Sequence, residues 1–171
     1  MLRRAVYQYY TNVNYRTCEN CLLWHGVIRR KASALPHKTD DCESAVLRIP
    51  RKELRTYRQQ AKRMRFRAQA ELARRKLFED ALSVFPDRVE LALELLDRAA
   101  SIDVYIPDIE RLAERHGDYL RDHPDVRGQL RAQLAKAYSD KFGWRRYERL
   151  PEVMRLQREQ AGMDRINELL G

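Results

Sequence analysis

Cysteine, glycine and proline are all scarce in this chain, and long apolar runs are missing. Three cysteines among 171 residues cannot all pair in intramolecular disulfides, which excludes a disulfide-stapled secreted scaffold and leads us to expect a reducing compartment. No stretch approaches the roughly 18 uninterrupted apolar residues of a membrane-spanning helix. The opening Met1-Leu2-Arg3-Arg4-Ala5-Val6-Tyr7-Gln8 carries charge but no apolar run suited to export. A soluble, cytoplasmic chain without membrane contact is expected. Also absent are a Gly-rich phosphate loop, a Gly-x-Ser-x-Gly elbow, a His-Glu-x-x-His pair and a dinucleotide fingerprint, so the sequence does not read as an enzyme.

What is present points to helix. With 44% apolar and 35% charged residues but only six Gly and six Pro, the chain is too apolar for a disordered tail. It is also too rich in Arg, Glu, Leu and Ala for an all-β fold. Five prolines stand at the borders of helical patterns, where a missing N–H and a fixed φ do least harm. They predict helices over about 51–85, 86–101, 107–121, 124–142 and 151–170. The first carries Leu54, Tyr57, Ala61, Met64 and Ala68 at a 3,4 spacing, one narrow apolar stripe. In the second, Asp87 and Glu90 resemble a capping box, and Val89, Leu91, Leu93, Leu95 and Leu96 predict a helix central to a bundle. The other three are amphipathic, and short connections favour antiparallel packing.

Residues 1–49 have another character. Tyr7, Tyr9, Tyr10 and Tyr15, then Gly26-Val27-Ile28 and Ala45-Val46-Leu47-Arg48-Ile49, lean towards three short β pieces. A segment of this size cannot bury much apolar surface by itself, so it must pack on the helices or be held by something other than a core. The expected organisation is therefore a cysteine- and histidine-clustered β module over 1–49 and an α-helical domain over 50–171. The fold class is mainly α: a zinc-knuckle-like module followed by a five-helix bundle with a long basic first helix.

Acidic residues are in short supply where the chain begins. Residues 1–76 hold 19 Lys and Arg against 6 Asp and Glu, whereas residues 77–171 hold 15 against 19. Arg55, Arg58, Lys62, Arg63, Arg65, Arg67, Arg74 and Arg75 are the candidates for contact with a polyanion, with Tyr57, Phe66 and Phe78 interleaved. Cations repeated along a helix neutralise successive phosphates and release counterions, giving salt-sensitive, largely sequence-independent affinity. Nucleic acid or a nucleoprotein assembly is the partner this implies. Alternatively the charged face is simply solvated, or the stripe is the seam of a homo-oligomer or of a dimeric adaptor whose charges set register.

The sharpest local signal is Cys18-Glu19-Asn20-Cys21, followed by His25, His37 and Cys42. A Cys-x2-Cys turn points two sulfurs at one position, and Zn2+ takes four nitrogen or sulfur ligands in a tetrahedron. Cys18, Cys21, His37 and Cys42 are the expected ligands of a structural Zn2+, with His25 as the alternative fourth. Redox-paired or simply buried thiols are the competing readings.

This stretch, from Arg16-Thr17-Cys18-Glu19-Asn20-Cys21-Leu22-Leu23-Trp24-His25-Gly26 to Pro36-His37 and Cys42-Glu43-Ser44, resembles the C-terminal motif of the tailed-phage head morphogenesis (Mu F-like minor head protein) family. There an Arg precedes Cys-x2-Cys-x4-Gly, and a His-Pro-x-Cys-x-Cys element follows. Here four residues separate His37 from Cys42 where the family has two, Pro36 precedes the His, and Ser44 replaces the second trailing Cys. The resemblance implies a virion-associated structural protein close to packaged DNA.

The remaining chemistry-bearing residues read as structural. His116 and His123 lack a telling partner spacing. Asp40-Asp41 and Asp122 with Asp125 would suit a metal-dependent nuclease, but loop aspartates at helix starts serve more simply as caps and dipole partners. Trp24 is expected to cover the cysteine cluster and Trp144 to seal a helix turn. The sequence thus reads as a non-catalytic, zinc-stabilised structural or scaffolding protein contacting nucleic acid, with a helix-mediated adaptor and, behind it, a nuclease as alternatives.

Overall fold

The computed structural model describes residues 6–13, 17–36, 42–143 and 151–171. Among these it is mainly α with a small antiparallel sheet near the N-terminus. Tyr15, Arg16, His37, Asp40-Asp41 and Trp144 lie outside the described residues. The chain divides into two compact units, residues 1–72 and 73–171. The change in composition falls near residue 49, whereas the division between units falls inside a helix.

In the first unit β1 (Val6–Thr11) is the central strand, flanked by β2 (Ile28–Arg29) and β3 (Ser44–Ile49), both antiparallel to it. Tyr9 stands opposite Val46, and Thr11 opposite Ser44. The three β pieces expected from the tyrosine- and valine-rich segments are all present. A short helix, α1 (Glu19–Trp24), was not expected: the Cys-x2-Cys segment forms a helical turn and a half instead of a bare turn. Side chains alternate across a strand, and Gln8 and Tyr9 are both buried, so β1 is covered on both faces. Tyr9 packs with Cys21, Leu35 and Cys42, and Trp24 lies partly buried against them. On the opposite face the Gln8 amide meets the Met64 sulfur at 3.5 Å.

Met64 belongs to α2 (Leu54–Val84), which follows a single 3-10 turn at Arg51–Glu53 and runs for 31 residues, about 46 Å at the α-helical rise. Its stripe residues Ala61 and Ala68 are buried. Gly26 explains how the chain approaches them so closely. It has φ +78, and a Cβ there would stand 2.9 Å from the Ala61 carbonyl oxygen and 3.0 Å from the Met64 Cβ. The chain's own turn thus covers the stripe at Ala61 and Met64.

The second unit contains the C-terminal part of α2 with α3 (Val89–Ile102), α4 (Ile106–Asp122), α5 (Pro124–Gly143) and α6 (Glu152–Leu170). Phe78, Leu82, Phe85, Leu96, Leu112, Leu130, Leu134, Ile166 and Leu170 anchor its core. The five helices predicted from the proline positions are all found. Two details differ. α3 begins at Val89 with Arg88 as N-cap and no side-chain cap, because the turn over 85–88 carries the chain past Asp87, so the expected capping box does not form. α3 is also not the central helix: Glu90, Glu94, Asp97 and Arg98 are exposed along one face, and it is α5 that packs against α3, α4 and α6. Gly162 lets α6 approach α5, since a Cβ there would overlap the Tyr138 ring, whose hydroxyl donates to the Arg158 carbonyl at 2.9 Å. His116 sits at a kink in α4 with φ −128 and ψ 21, edge-on to Phe85. Burial lowers its pKa. His123 caps α4 and stacks on Tyr119.

Candidate metal centre

Cysteine sulfurs from two separated segments meet in the first unit. The Sγ atoms of Cys18, Cys21 and Cys42 all lie within 4.8 Å of one another, and these three residues can hold a metal ion. Tetrahedral zinc with bonds of about 2.3 Å sets its sulfurs about 3.8 Å apart, so the cluster has the right scale. All three thiols are free of disulfides.

Local backbone geometry brings them together. Cys18 is the N-cap of α1, in extended conformation, and its sulfur accepts from the Cys21 amide at 3.4 Å. One helical turn therefore sets the Cys18 and Cys21 side chains on the same end of α1. Cys42 arrives from the other side, just before β3. Glu43 takes φ +45, a left-handed conformation that costs a residue with a Cβ roughly 1–2 kcal/mol. The Thr11 hydroxyl donates to the Cys42 carbonyl at 2.8 Å. The Cys42 sulfur then accepts from the Cys18 amide at 3.3 Å. Backbone N–H groups aimed at sulfur favour the charged thiolate over the thiol.

The phenol of Tyr9, 0% exposed, lies 3.2 Å from the Cys21 sulfur. Burial, then the contact with Cys21, raises its pKa, so it remains a neutral O–H able to donate to a thiolate. Tyr9 is the participant that sequence reading missed; its only trace was its place in a tyrosine-rich strand. Burial, with the neighbouring Cys21 and Cys42 sulfurs, pushes the Cys18 thiol up to about 11. A bound divalent cation reverses that preference.

Of the two histidines weighed as the fourth ligand, His37 lies outside the described residues. His25 is not in the cluster. It is 4% exposed, its Nδ1 accepts from the Thr11 amide at 3.2 Å, and its ring lies against Tyr10. Tyr10 and Tyr9 point to opposite faces of β1, so His25 occupies the face away from the sulfurs. Burial, with a smaller contribution from Arg67, lowers its pKa to about 4.

The basic candidates separate into two sets. Arg55, Arg58, Lys62, Arg63, Arg65 and Arg67 are all exposed on the first half of α2, and Arg75 is half-buried. Arg74 differs from them. It is 2% exposed, ion-paired with Asp108 and set over the Tyr105 ring, so it is a structural cation of the second unit and not part of a charged surface. Arg29 of β2 and Arg30 just after it line an open cleft with Arg51 and Arg58, together with Val6, Ile28 and Leu54. Four guanidinium groups thus border one cleft whose lining includes no carboxylate. The Arg29-Arg30-Lys31 run was the available sequence signal.

Comparison with protein-family models, with curated proteins and with solved structures gives no match to this chain. Among the described residues no helix is long and apolar enough to cross a membrane.

Proposed function

We propose that this is a non-catalytic structural protein whose first unit is held by one zinc ion and whose basic surface contacts nucleic acid or a nucleoprotein assembly. The observation that carries the reading is the convergence of the Cys18, Cys21 and Cys42 sulfurs within 4.8 Å, in a unit whose apolar cluster is small. His37 is the fourth ligand in this reading, chosen for its imidazole chemistry and its spacing from Cys42. Four protein ligands leave no open position, which suits a structural ion better than a catalytic one. When bound, the ion supplies positive charge that keeps the three sulfurs as thiolates and ties the segment before β2 to the start of β3.

The exposed Arg55, Arg58, Lys62, Arg63, Arg65 and Arg67 and the arginine-lined cleft support the second half of the proposal. Arg binds phosphate oxygens in a bidentate fork and keeps its charge at every physiological pH. The motif resemblance extends the proposal to a phage head as the nucleoprotein assembly.

Elemental analysis of the purified chain tests the metal. One equivalent of zinc is expected, lost in Cys18→Ser and Cys42→Ser; a metal-free, folded protein overturns it. A salt titration tests the surface. Affinity for nucleic acid should fall linearly on a log–log plot, by roughly 0.7–0.9 log units per phosphate neutralised for each tenfold rise in salt, and Arg55→Ala with Arg58→Ala should flatten the slope. A salt-independent interaction would remove the polyanion reading.

A further inference from the structure

The aromatic residues interleaved with the basic helix have three different fates. Phe78 is buried in the core of the second unit, Tyr57 is half-buried, and Phe66 is 73% exposed. Phe66 projects from the side of α2 opposite the buried Ala61 and Ala68. On a helix the residues three and four positions away are the surface neighbours. For Phe66 these include Arg63 and Lys62 on one side and Gln69 on the other, all exposed. Arg55 and Gln59 continue the same exposed line towards the N-terminus of α2. A large apolar ring thus stands in water, flanked by cations and amides, with no carboxylate within one turn.

We infer that this face binds single-stranded nucleic acid, with Phe66 as the platform on which one unpaired base stacks while Arg55, Lys62 and Arg63 hold the flanking phosphates. The inference rests on the proposed polyanion contact and narrows it to a substrate class. Every base has an apolar π-face, but in a duplex those faces are already stacked. Only an unpaired strand can offer one to a ring on a convex helix surface. A second copy of this chain is a poor occupant, because it would bring Arg55, Lys62 and Arg63 against their own like charges. An acidic strand removes that repulsion and uses the ring.

The full chain is tested by fluorescence anisotropy against labelled oligo-deoxythymidine, oligo-uridine and a duplex of equal length, at low and at physiological salt. Phe66→Ala should weaken binding to the single strands about tenfold, the scale of one base–aromatic stack, with the salt slope unchanged and duplex affinity within about twofold. Phe66→Trp should restore single-strand affinity, and its introduced indole should be quenched by the strands. Thermal melts of both variants should match the parent, since the ring is exposed. If Phe66→Ala binds single strands as tightly as the parent, with salt dependence intact, the stacking inference fails while the basic-surface reading stands. If it weakens the duplex as much as the strands, the ring acts as a wedge between base pairs and the inference also fails. A concentration-dependent dimer that Phe66→Ala abolishes, with strand binding unaffected, overturns it in favour of self-association. No salt-dependent binding of any probe by the parent sinks both proposals.

Discussion

The two units are built on different principles. Among the described residues, the second gathers seventeen buried apolar side chains into one cluster. The first gathers four, of which two are cysteines. Outside that cluster it buries four more apolar side chains, Leu22, Ile49, Ala61 and Ala68, and five polar ones, Gln8, Thr11, Thr17, His25 and Ser44. A buried hydroxyl or amide contributes little net stability even when satisfied, and is costly when it is not. The two interiors therefore differ in chemistry: one is filled by hydrocarbon, while the other mixes apolar groups with thiols, hydroxyls, an amide and an imidazole.

Metal removal should break that comparison open. Stripping the ion proposed at Cys18, Cys21 and Cys42 is expected to unfold the first unit completely, since a structural zinc contributes about 10 kcal/mol or more against the ~5–15 kcal/mol that stabilises a whole domain. Amide exchange read before and after a chelator gives the test. The Tyr9 and Gly26 amides, hydrogen-bonded to the Val27 and Tyr9 carbonyls, should lose protection, while those of Leu112 and Leu130 should keep it. Retained protection at Tyr9 in the metal-free protein would show that the small apolar cluster suffices.

A smaller effect is expected in the second unit, at the buried Arg74–Asp108 pair. Asp108→Ala leaves the Arg74 guanidinium, 2% exposed, without this carboxylate, and should cost about 3–5 kcal/mol in chemical denaturation. Replacing both, Arg74→Met with Asp108→Leu, should return most of that loss, because a packed apolar pair serves such a position as well. Zinc content should be unaltered in both variants.

The gentlest perturbation is acid, and it sharpens the contrast within the first unit. His25 has an ordinary pKa of 6.5 lowered to about 4 in the folded chain. Between those values the unfolded chain binds a proton that the native one refuses. Stability from this group is therefore complete above pH 6.5 and is lost as the pH falls towards 4. Protonation also removes the Nδ1 acceptor used by the Thr11 amide. The measurement is unfolding free energy against pH; His25→Gln should flatten the curve through that window, and an unchanged slope would assign the acid sensitivity elsewhere.

Much of the helical architecture was legible because proline acts locally. Pro107, Pro124 and Pro151 each stand within two residues of a helix start, as their fixed φ and missing N–H require. The cysteine cluster was legible because Cys-x2-Cys constrains its own geometry over a single turn. What was hidden depends on contacts distant in sequence. Nothing local separates Arg74 from Arg75; Asp108 and Tyr105, more than thirty residues on, hold the first of them inside. His25 was weighed as the alternative to His37 because its spacing lets it reach the same small volume, but its place beside Tyr10 puts it on the other face. Asp87 matched a cap by spacing, yet the turn over 85–88 shifted the helix start beyond it.

Gly26 carries a consequence for how this molecule can change over generations. A hydrogen atom, where any other residue would place a carbon, sets the distance between the turn after α1 and the backbone of α2. Drift can restyle the outward charges of α2 or the exposed edge of β3 with little penalty, because those side chains face water. At that seam there is no such latitude. The sulfur-bearing turn and the arginine-rich helix must be inherited as a matched pair, and a lineage that lost the glycine would have to rebuild both.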